Sequence, residues 1–114
     1  MPSKPADTAL RDILHHIDLA AKFSAGSDRA SFKHDLKTVY AVTRCLEIIS
    51  EASRRLPNDL KTRHPAIGWK QMAGAGNIYR HDYEDVAAEF VWETVERALP
   101  PLRTAIEAEL ERSA

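Results

Sequence analysis

The chain has 114 residues and a formal net charge of −1 at pH 7, with 44% hydrophobic and 29% charged residues. This composition is close to that of an average soluble protein, which argues against disorder, and the length favours one compact domain over residues 1–114. The near-neutral charge excludes a global basic field, so any contact with a polyanion must come from a local patch or from two copies of the chain.

The first part of the chain predicts one amphipathic helix behind a short tail. Residues 1–5 contain two prolines and should be frayed, and helix one should run from about Ala6 to Phe23. Its apolar residues recur at three- and four-residue steps and should form one buried stripe, namely Leu10, Ile13, Leu14, Ile17 and Ala21. Gly26 should end this helix, and Ser27 is the candidate N-cap of the next.

A long second helix is predicted from about Asp28 to Leu56. Its expected buried side comprises Phe32, Leu36, Val39, Val42, Leu46, Ile49 and Leu56, with Cys45 and Ile48 widening that face. The segment that follows is bounded by Pro57 and Pro65 and has room for one short turn of helix.

A third helix should start near Ile67 or Gly68 and reach about His81. Its expected inward residues are Trp69, Met72 and Ile78. Three acidic residues follow, which suits the start of a fourth helix because negative charge favours a helix N-terminus. These residues are Asp82, Glu84 and Asp85.

The double proline at positions 100 and 101 should interrupt the fourth helix, and a last helix should continue to about Arg112. The expected core residues here are Val86, Phe90, Val91, Val95 and Leu99, followed by Leu102, Ile106 and Leu110. No strand-like alternation persists anywhere in the chain. The sequence therefore predicts an all-α fold, a four- to five-helix up-down bundle with short connections.

The chain also indicates its compartment. Its N-terminus has no apolar run of signal-peptide length, and no segment approaches the ~20 apolar residues of a membrane-spanning helix. Cys45 is the single cysteine, which rules out an intrachain disulfide and fits a reducing compartment. We expect a soluble, cytoplasmic protein.

The histidines do not suggest a metal site. His15 and His16 are adjacent and would point about 100° apart on a helix, so they do not easily share an ion. Neither an H-E-x-x-H motif nor a cysteine–histidine pairing occurs, and no glycine-rich phosphate loop follows a strand. We predict no metal and no cofactor.

The stretch MAGAGNIYRHDY, residues 72–83, stands out because it combines glycines with a histidine, an arginine and two tyrosines. Gly74 and Gly76 each cost about 1 kcal/mol in a helix relative to alanine, which is tolerated where something must approach the backbone closely. The same residues also fit a weak, bent helix without a role, in which basic residues favour the helix end and Asp82 caps the next helix.

A functional interpretation of this stretch is chemical. Histidine exchanges a proton near neutral pH, and the guanidinium of Arg80, beside His81, binds phosphate through two donors at once. In RNA the 2′-hydroxyl supplies an internal nucleophile. Cleavage then needs no metal, only a base, an acid and stabilisation of the phosphorane charge.

Four segments resemble the HepT-like branch of the HEPN superfamily, small helical proteins usually encoded beside a minimal nucleotidyltransferase. They are LRDILHHIDLAAKF, FKHDLKTVYAVTRCLEIISEA, RHPAIGWKQMAG and NIYRHDYEDVAAEFVWETVERALPPL. Together they cover nearly the whole chain, which makes the resemblance far more specific than a His-x-Tyr pair alone.

The resemblance implies a ribonuclease toxin of a toxin–antitoxin pair. The family motif is an arginine, an asparagine, three variable residues and then His-x-Tyr, and Asn77, His81 and Tyr83 match it. In the family, arginine and histidine from two protomers line one cleft, which implies a homodimer acting on RNA. The tyrosine is where the partner nucleotidyltransferase attaches AMP, so Tyr83 is the expected AMPylation site.

The motif arginine is absent, since its position is Gly76. Loss of one such electrostatic contact costs about 3–4 kcal/mol, or roughly 10²–10³ in rate. Arg80 lies one turn later, only about 40° around the helix, and helical side chains lean toward the N-terminus. Arg80 is therefore the candidate for a displaced phosphate clamp.

Three interpretations stay open. The chain is an active, metal-independent endoribonuclease, with His81 as base or acid, Arg80 as clamp and Asn77 as orienter. Alternatively, it is a degenerate binding module that docks a nucleotidyltransferase, RNA or a nucleotide without cutting. A third option is a plain structural bundle.

Overall fold

The computed structural model describes residues 4–81 and 85–113, and for residues 76–81 and 85–87 it describes the backbone alone. Within these ranges the chain is helical, without strands, and none of its helices combines the length and the hydrophobicity of a membrane-spanning segment. The helices are α1 (Lys4–Ser24), α2 (Arg29–His34), α3 (Leu36–Arg54), α4 (Asn58–Thr62), α5 (Trp69–His81), α6 (Asp85–Glu93), a π-helical turn (Thr94–Ala98) and α7 (Leu99–Arg112). The predicted all-α fold is confirmed.

The core lies where α1, α3, α5 and α7 pack together. α3 packs against both α1 and α5, α7 packs on α1, and α2 packs on α6. Most of the predicted stripe residues are buried, including Leu10, Ile13, Ile17, Val42, Leu46, Ile49, Val91, Leu99, Leu102 and Ile106. Others lie half-buried against this core, including Leu14, Trp69, Met72, Phe90, Val95 and Leu110. Ala20 is fully buried and Ala21 is exposed, so the prediction for Ala21 was wrong by one helical position.

The helix boundaries near the N-terminus differ from the prediction at two points. α1 begins at Lys4 and includes Pro5, because a proline in the first turn lacks only an N–H that has no partner within the helix. The N-cap of α2 is Asp28 rather than Ser27. The Asp28 carboxylate accepts the Ser31 backbone N–H at 2.8 Å, and the Ser31 hydroxyl accepts the Asp28 N–H at 2.9 Å.

The predicted long second helix is two helices that meet at Asp35. This residue leaves helical geometry (φ −104°, ψ 86°) and caps α3, accepting the Thr38 backbone N–H at 3.2 Å and the Thr38 hydroxyl at 2.7 Å. Such local side-chain hydrogen bonds compete with continuation of the helix. The break turns Leu36 outward, where it is 64% exposed, so its predicted burial was wrong.

The double proline lies inside a continuous helical rod, where an interruption was predicted. Pro100 and Pro101 occupy the first turn of α7, directly after the π-helical turn, and the Leu99 N–H bonds to the Thr94 carbonyl five residues back. Proline lacks an N–H and its ring clashes with the carbonyl four residues earlier, and the wider π-turn relieves that conflict. The helix changes type here and continues.

Candidate functional site

Helix α5 carries the predicted catalytic positions. Its backbone is helical from Trp69 to His81 and includes Asn77 and Arg80, as predicted. Helix periodicity puts positions 77, 80 and 81 within about 100° of one another around the axis. The side chains at 76–81 lie outside the described part of the structure, and so does Tyr83, so the roles assigned to these residues stay predictions.

The start of α5 is fixed by its first residue. The Trp69 indole Nε1–H donates to the carbonyls of Lys61 at 3.1 Å and His64 at 3.0 Å, while its ring packs against the core. A half-buried indole needs a partner for its single N–H donor. Here two carbonyls, one in the last turn of α4 and one just after α4, share that donor. The contact joins α5 to the segment that precedes it.

That segment is in turn held by α7. Glu109, 6% exposed, accepts from Arg63 Nη2 at 2.6 Å and Nε at 3.2 Å, and its Oε2 lies 2.7 Å from His64 Nε2. The hydrogen bonds from Arg63, helped by His64, lower the pKa of Glu109 to about 2 although burial opposes the shift. Glu109 is therefore charged at neutral pH and links α7 to the α4–α5 connection.

The middle of α5 is tethered to α3 through the Ala73 carbonyl. Ser50 Oγ donates to this oxygen at 3.1 Å, and Arg54 donates from Nε at 3.0 Å and from Nη2 at 2.5 Å. Ser50 and Arg54 are four residues apart, so they lie on one face of α3. The tether fixes α5 immediately before the turn that contains Asn77.

Neither Ser50 nor Arg54 was singled out by the sequence analysis. Ser50 is buried and Arg54 is exposed, so burial alone does not group them. Their spacing of four residues indicates only that they share one face of a helix, and nothing in the sequence points to the carbonyl that they bind.

Two other features of the described residues are weaker candidates for a phosphate site. A cleft of about 430 Å³ lies between α5 and the π-helical turn, and its lining is mostly apolar, with Ile67, Met72 and Phe90 among its residues. Its lining also includes Arg97, which pairs with Glu93 at 3.1 Å. Cys45 is 3% exposed in the core, and burial raises the pKa of its thiol. A buried neutral thiol is a poor nucleophile, so the candidate site remains the face of α5 around positions 77–81.

Comparison with known proteins identifies the family. The model of the family described as ribonuclease HepT-like matches residues 13–109. A Thermococcus cleftensis protein named "Probable ribonuclease HepT" is 40% identical over 98 residues, which is 86% of this chain and 89% of that protein. Two Methanocaldococcus jannaschii proteins, each named a "Putative RNase", are 34% and 33% identical over 107 residues, covering 94% of this chain and 92% and 88% of their own lengths.

No solved structure matches the chain. The family match runs from the middle of α1 almost to the end of α7, and the relatives align over nearly their whole length. The chain belongs to the ribonuclease HepT-like family of the HEPN superfamily.

Proposed function

We propose that this chain is a HEPN-type ribonuclease that acts as the toxin of a toxin–antitoxin pair and cleaves RNA without a metal ion. The observation that carries the proposal is the family match across residues 13–109. It is supported by a helical backbone through positions 77, 80 and 81, which keeps Asn77, His81 and the candidate clamp Arg80 on one side of α5.

The proposed reaction uses the RNA as its own nucleophile. The 2′-oxygen attacks the adjacent phosphorus and the bond to O5′ breaks, which leaves a 2′,3′-cyclic phosphate and a 5′-hydroxyl. The 2′-hydroxyl proton goes to a base, and an acid delivers a proton to the leaving O5′. His81 serves in one of these roles because imidazole exchanges protons near neutral pH. Arg80 clamps the phosphate, and Asn77 orients it.

Regulation and assembly are part of the same proposal. The site lies between two copies of the chain, so that a two-fold axis brings two sets of Arg80 and His81 to one groove. A nucleotidyltransferase antitoxin attaches AMP to Tyr83, and the added negative charge repels RNA in the way that phosphorylation would. Light scattering should give twice the mass of the chain, and mass spectrometry should find AMP on Tyr83 after incubation with the cognate transferase and ATP.

The decisive experiment is cleavage of labelled single-stranded RNA in the presence of EDTA. We expect His81→Ala to abolish cleavage, while His15→Ala, at an exposed position on α1, leaves it unchanged. A 2′-deoxy substitution at the cleaved nucleotide should block the reaction, because it removes the nucleophile. Cleavage that persists in His81→Ala or at the deoxy position would refute the mechanism.

A second candidate function is favoured by Gly76, which carries no charge where the family motif has arginine. In this alternative the chain is a binding module that docks a nucleotidyltransferase or RNA without cutting it. Gly76→Arg separates the two. If the wild-type chain is inert and becomes a nuclease with this substitution, the binding module is correct. A wild-type chain that already cleaves RNA supports the ribonuclease. The added arginine should then raise the cleavage rate by at most roughly 10²–10³, the contribution of one transition-state contact.

A further inference from the structure

We propose that Arg54 of α3 is an RNA-binding residue, whose guanidinium contacts a backbone phosphate of single-stranded RNA beside the candidate face of α5. This inference rests on the proposed ribonuclease function and deepens it by naming a residue outside the family motif. Arg54 adds a positive charge from α3 to a site where Gly76 supplies none.

The guanidinium of Arg54 is already held in place. Its Nε and Nη2 donate to one oxygen, the Ala73 carbonyl, at 3.0 and 2.5 Å. A guanidinium carries five donors in a planar fork that matches two oxygens of a phosphate, so a single neutral carbonyl uses only part of its capacity. An arginine fixed in this way loses less side-chain entropy when it binds a ligand than a mobile one does.

The position of the tether along α5 relates Arg54 to the motif. Asn77, Arg80 and His81 follow Ala73 by four, seven and eight residues, which places them roughly 6–12 Å further along the axis and within about 80° of it around the helix. The Ala73 carbonyl points toward that end of the helix, as helical carbonyls do. Arg54 therefore reaches the same face about one turn before Asn77 and about two turns before His81, where a neighbouring phosphate of a bound strand would pass.

Arg54 and the adjacent Arg55 have different charged surroundings. Arg55 turns toward α1 and pairs with Asp12 at 3.1 Å and with Glu51 at 3.7 Å. Arg54 is exposed, and it forms no ion pair with any carboxylate whose side chain the structure describes. Arg55 therefore offers a matched control one residue away, with a charge that is already paired.

The test is binding of a fluorescein-labelled single-stranded oligouridylate to the full chain in a His81→Ala background, measured by anisotropy at several salt concentrations. We expect Arg54→Ala to weaken binding about tenfold, as loss of one charge-assisted contact would. The slope of log affinity against log salt should fall by about 0.7 for one lost phosphate contact on a single strand. Arg54→Lys should keep the slope, and Arg55→Ala should change affinity less than about twofold.

A merely structural role for Arg54 would lower thermal stability and leave the salt slope unchanged, and that result overturns the inference. An equal effect of Arg55→Ala also overturns it. If Arg54→Ala does not fold, Arg54→Gln gives the same measurement, because it removes the charge and keeps a donor for the Ala73 carbonyl.

Cleavage by the chain with His81 intact is scored separately. Binding that depends on Arg54 without any cleavage refutes the ribonuclease and upholds the inference. If cleavage needs His81 and RNA binding does not depend on Arg54, the ribonuclease is supported and the inference about Arg54 is refuted.

Discussion

Replacing Glu109 by glutamine should destabilise the fold by about 2–3 kcal/mol at pH 7. A pKa lowered from 4.5 to about 2 corresponds to about 3 kcal/mol of stabilisation of the charged form. Because the Arg63 side chain is 33% exposed, solvent screening reduces that figure. Glutamine keeps the volume and removes the charge that Arg63 and His64 surround, so the loss reports on this cluster.

The contribution of Glu109 to stability should depend on pH. The folded pKa of Glu109 lies below its unfolded value, so its contribution is complete above about pH 4.5 and is lost as pH falls toward 2. The difference between wild type and Glu109→Gln should therefore shrink as pH falls from 4.5 to 3. Other carboxylates titrate in the same range, but they do so in both proteins and cancel in the difference.

Urea unfolding followed by circular dichroism at pH 7, 4 and 3 measures this difference. The matched control is Glu107→Gln, two residues earlier on α7, where the side chain is 52% exposed and lies 3.4 Å from Arg103. An exposed pair of this kind should contribute less than about 0.5 kcal/mol. The reasoning is wrong if Glu109→Gln costs no more than Glu107→Gln, or if the difference does not shrink at low pH.

Four further substitutions test the local structure by thermal denaturation. Asp35→Ala should cost about 1 kcal/mol, because it removes the acceptor for Thr38 at the start of α3; no loss would show that the cap does not stabilise α3. Gly26→Ala should cost about 1 kcal/mol at φ +83°, whereas Gly74→Ala, with no atom within 4 Å of an added Cβ, should gain up to about 1 kcal/mol. A gain at Gly26 or a loss at Gly74 would contradict the prediction for that position. Trp69→Phe should cost about 1 kcal/mol through the two carbonyls that lose its indole donor, and an unchanged midpoint would count against that anchor.

Apolar periodicity predicted the helices because each long helix buries a continuous stripe against its neighbours. It failed where a polar side chain, rather than the apolar pattern, decides the backbone. Asp35 lies within a regular apolar repeat, and the sequence signal for the break was an aspartate three residues before Thr38, the spacing of an N-cap. The error at Leu36 follows from that break, since a stripe extrapolated through a cap no longer faces the core.

The site was predictable only in part, for a different reason. The order of Asn77, Arg80 and His81 along one helix follows from the sequence, and the backbone of α5 confirms that helix. The tether by Arg54 and Ser50 could not be predicted, because these side chains bind a backbone carbonyl 19 and 23 residues away. Every residue has a backbone carbonyl, so the residue type at position 73 does not reveal that its carbonyl is bound.

The tether also explains how α5 persists as a helix. A 13-residue helix is marginal in isolation, and two glycines, Gly74 and Gly76, weaken this one by about 2 kcal/mol relative to alanine. A hydrogen bond from a charged donor contributes roughly 1.5–3 kcal/mol, so the bonds from Arg54 to Ala73, together with Ser50, are large enough to offset that weakness. The backbone can thus stay free of side chains at positions 74 and 76 and remain helical. The same exposed arginine keeps donors that the carbonyl does not use, and these are the donors with which the proposed phosphate contact would be made.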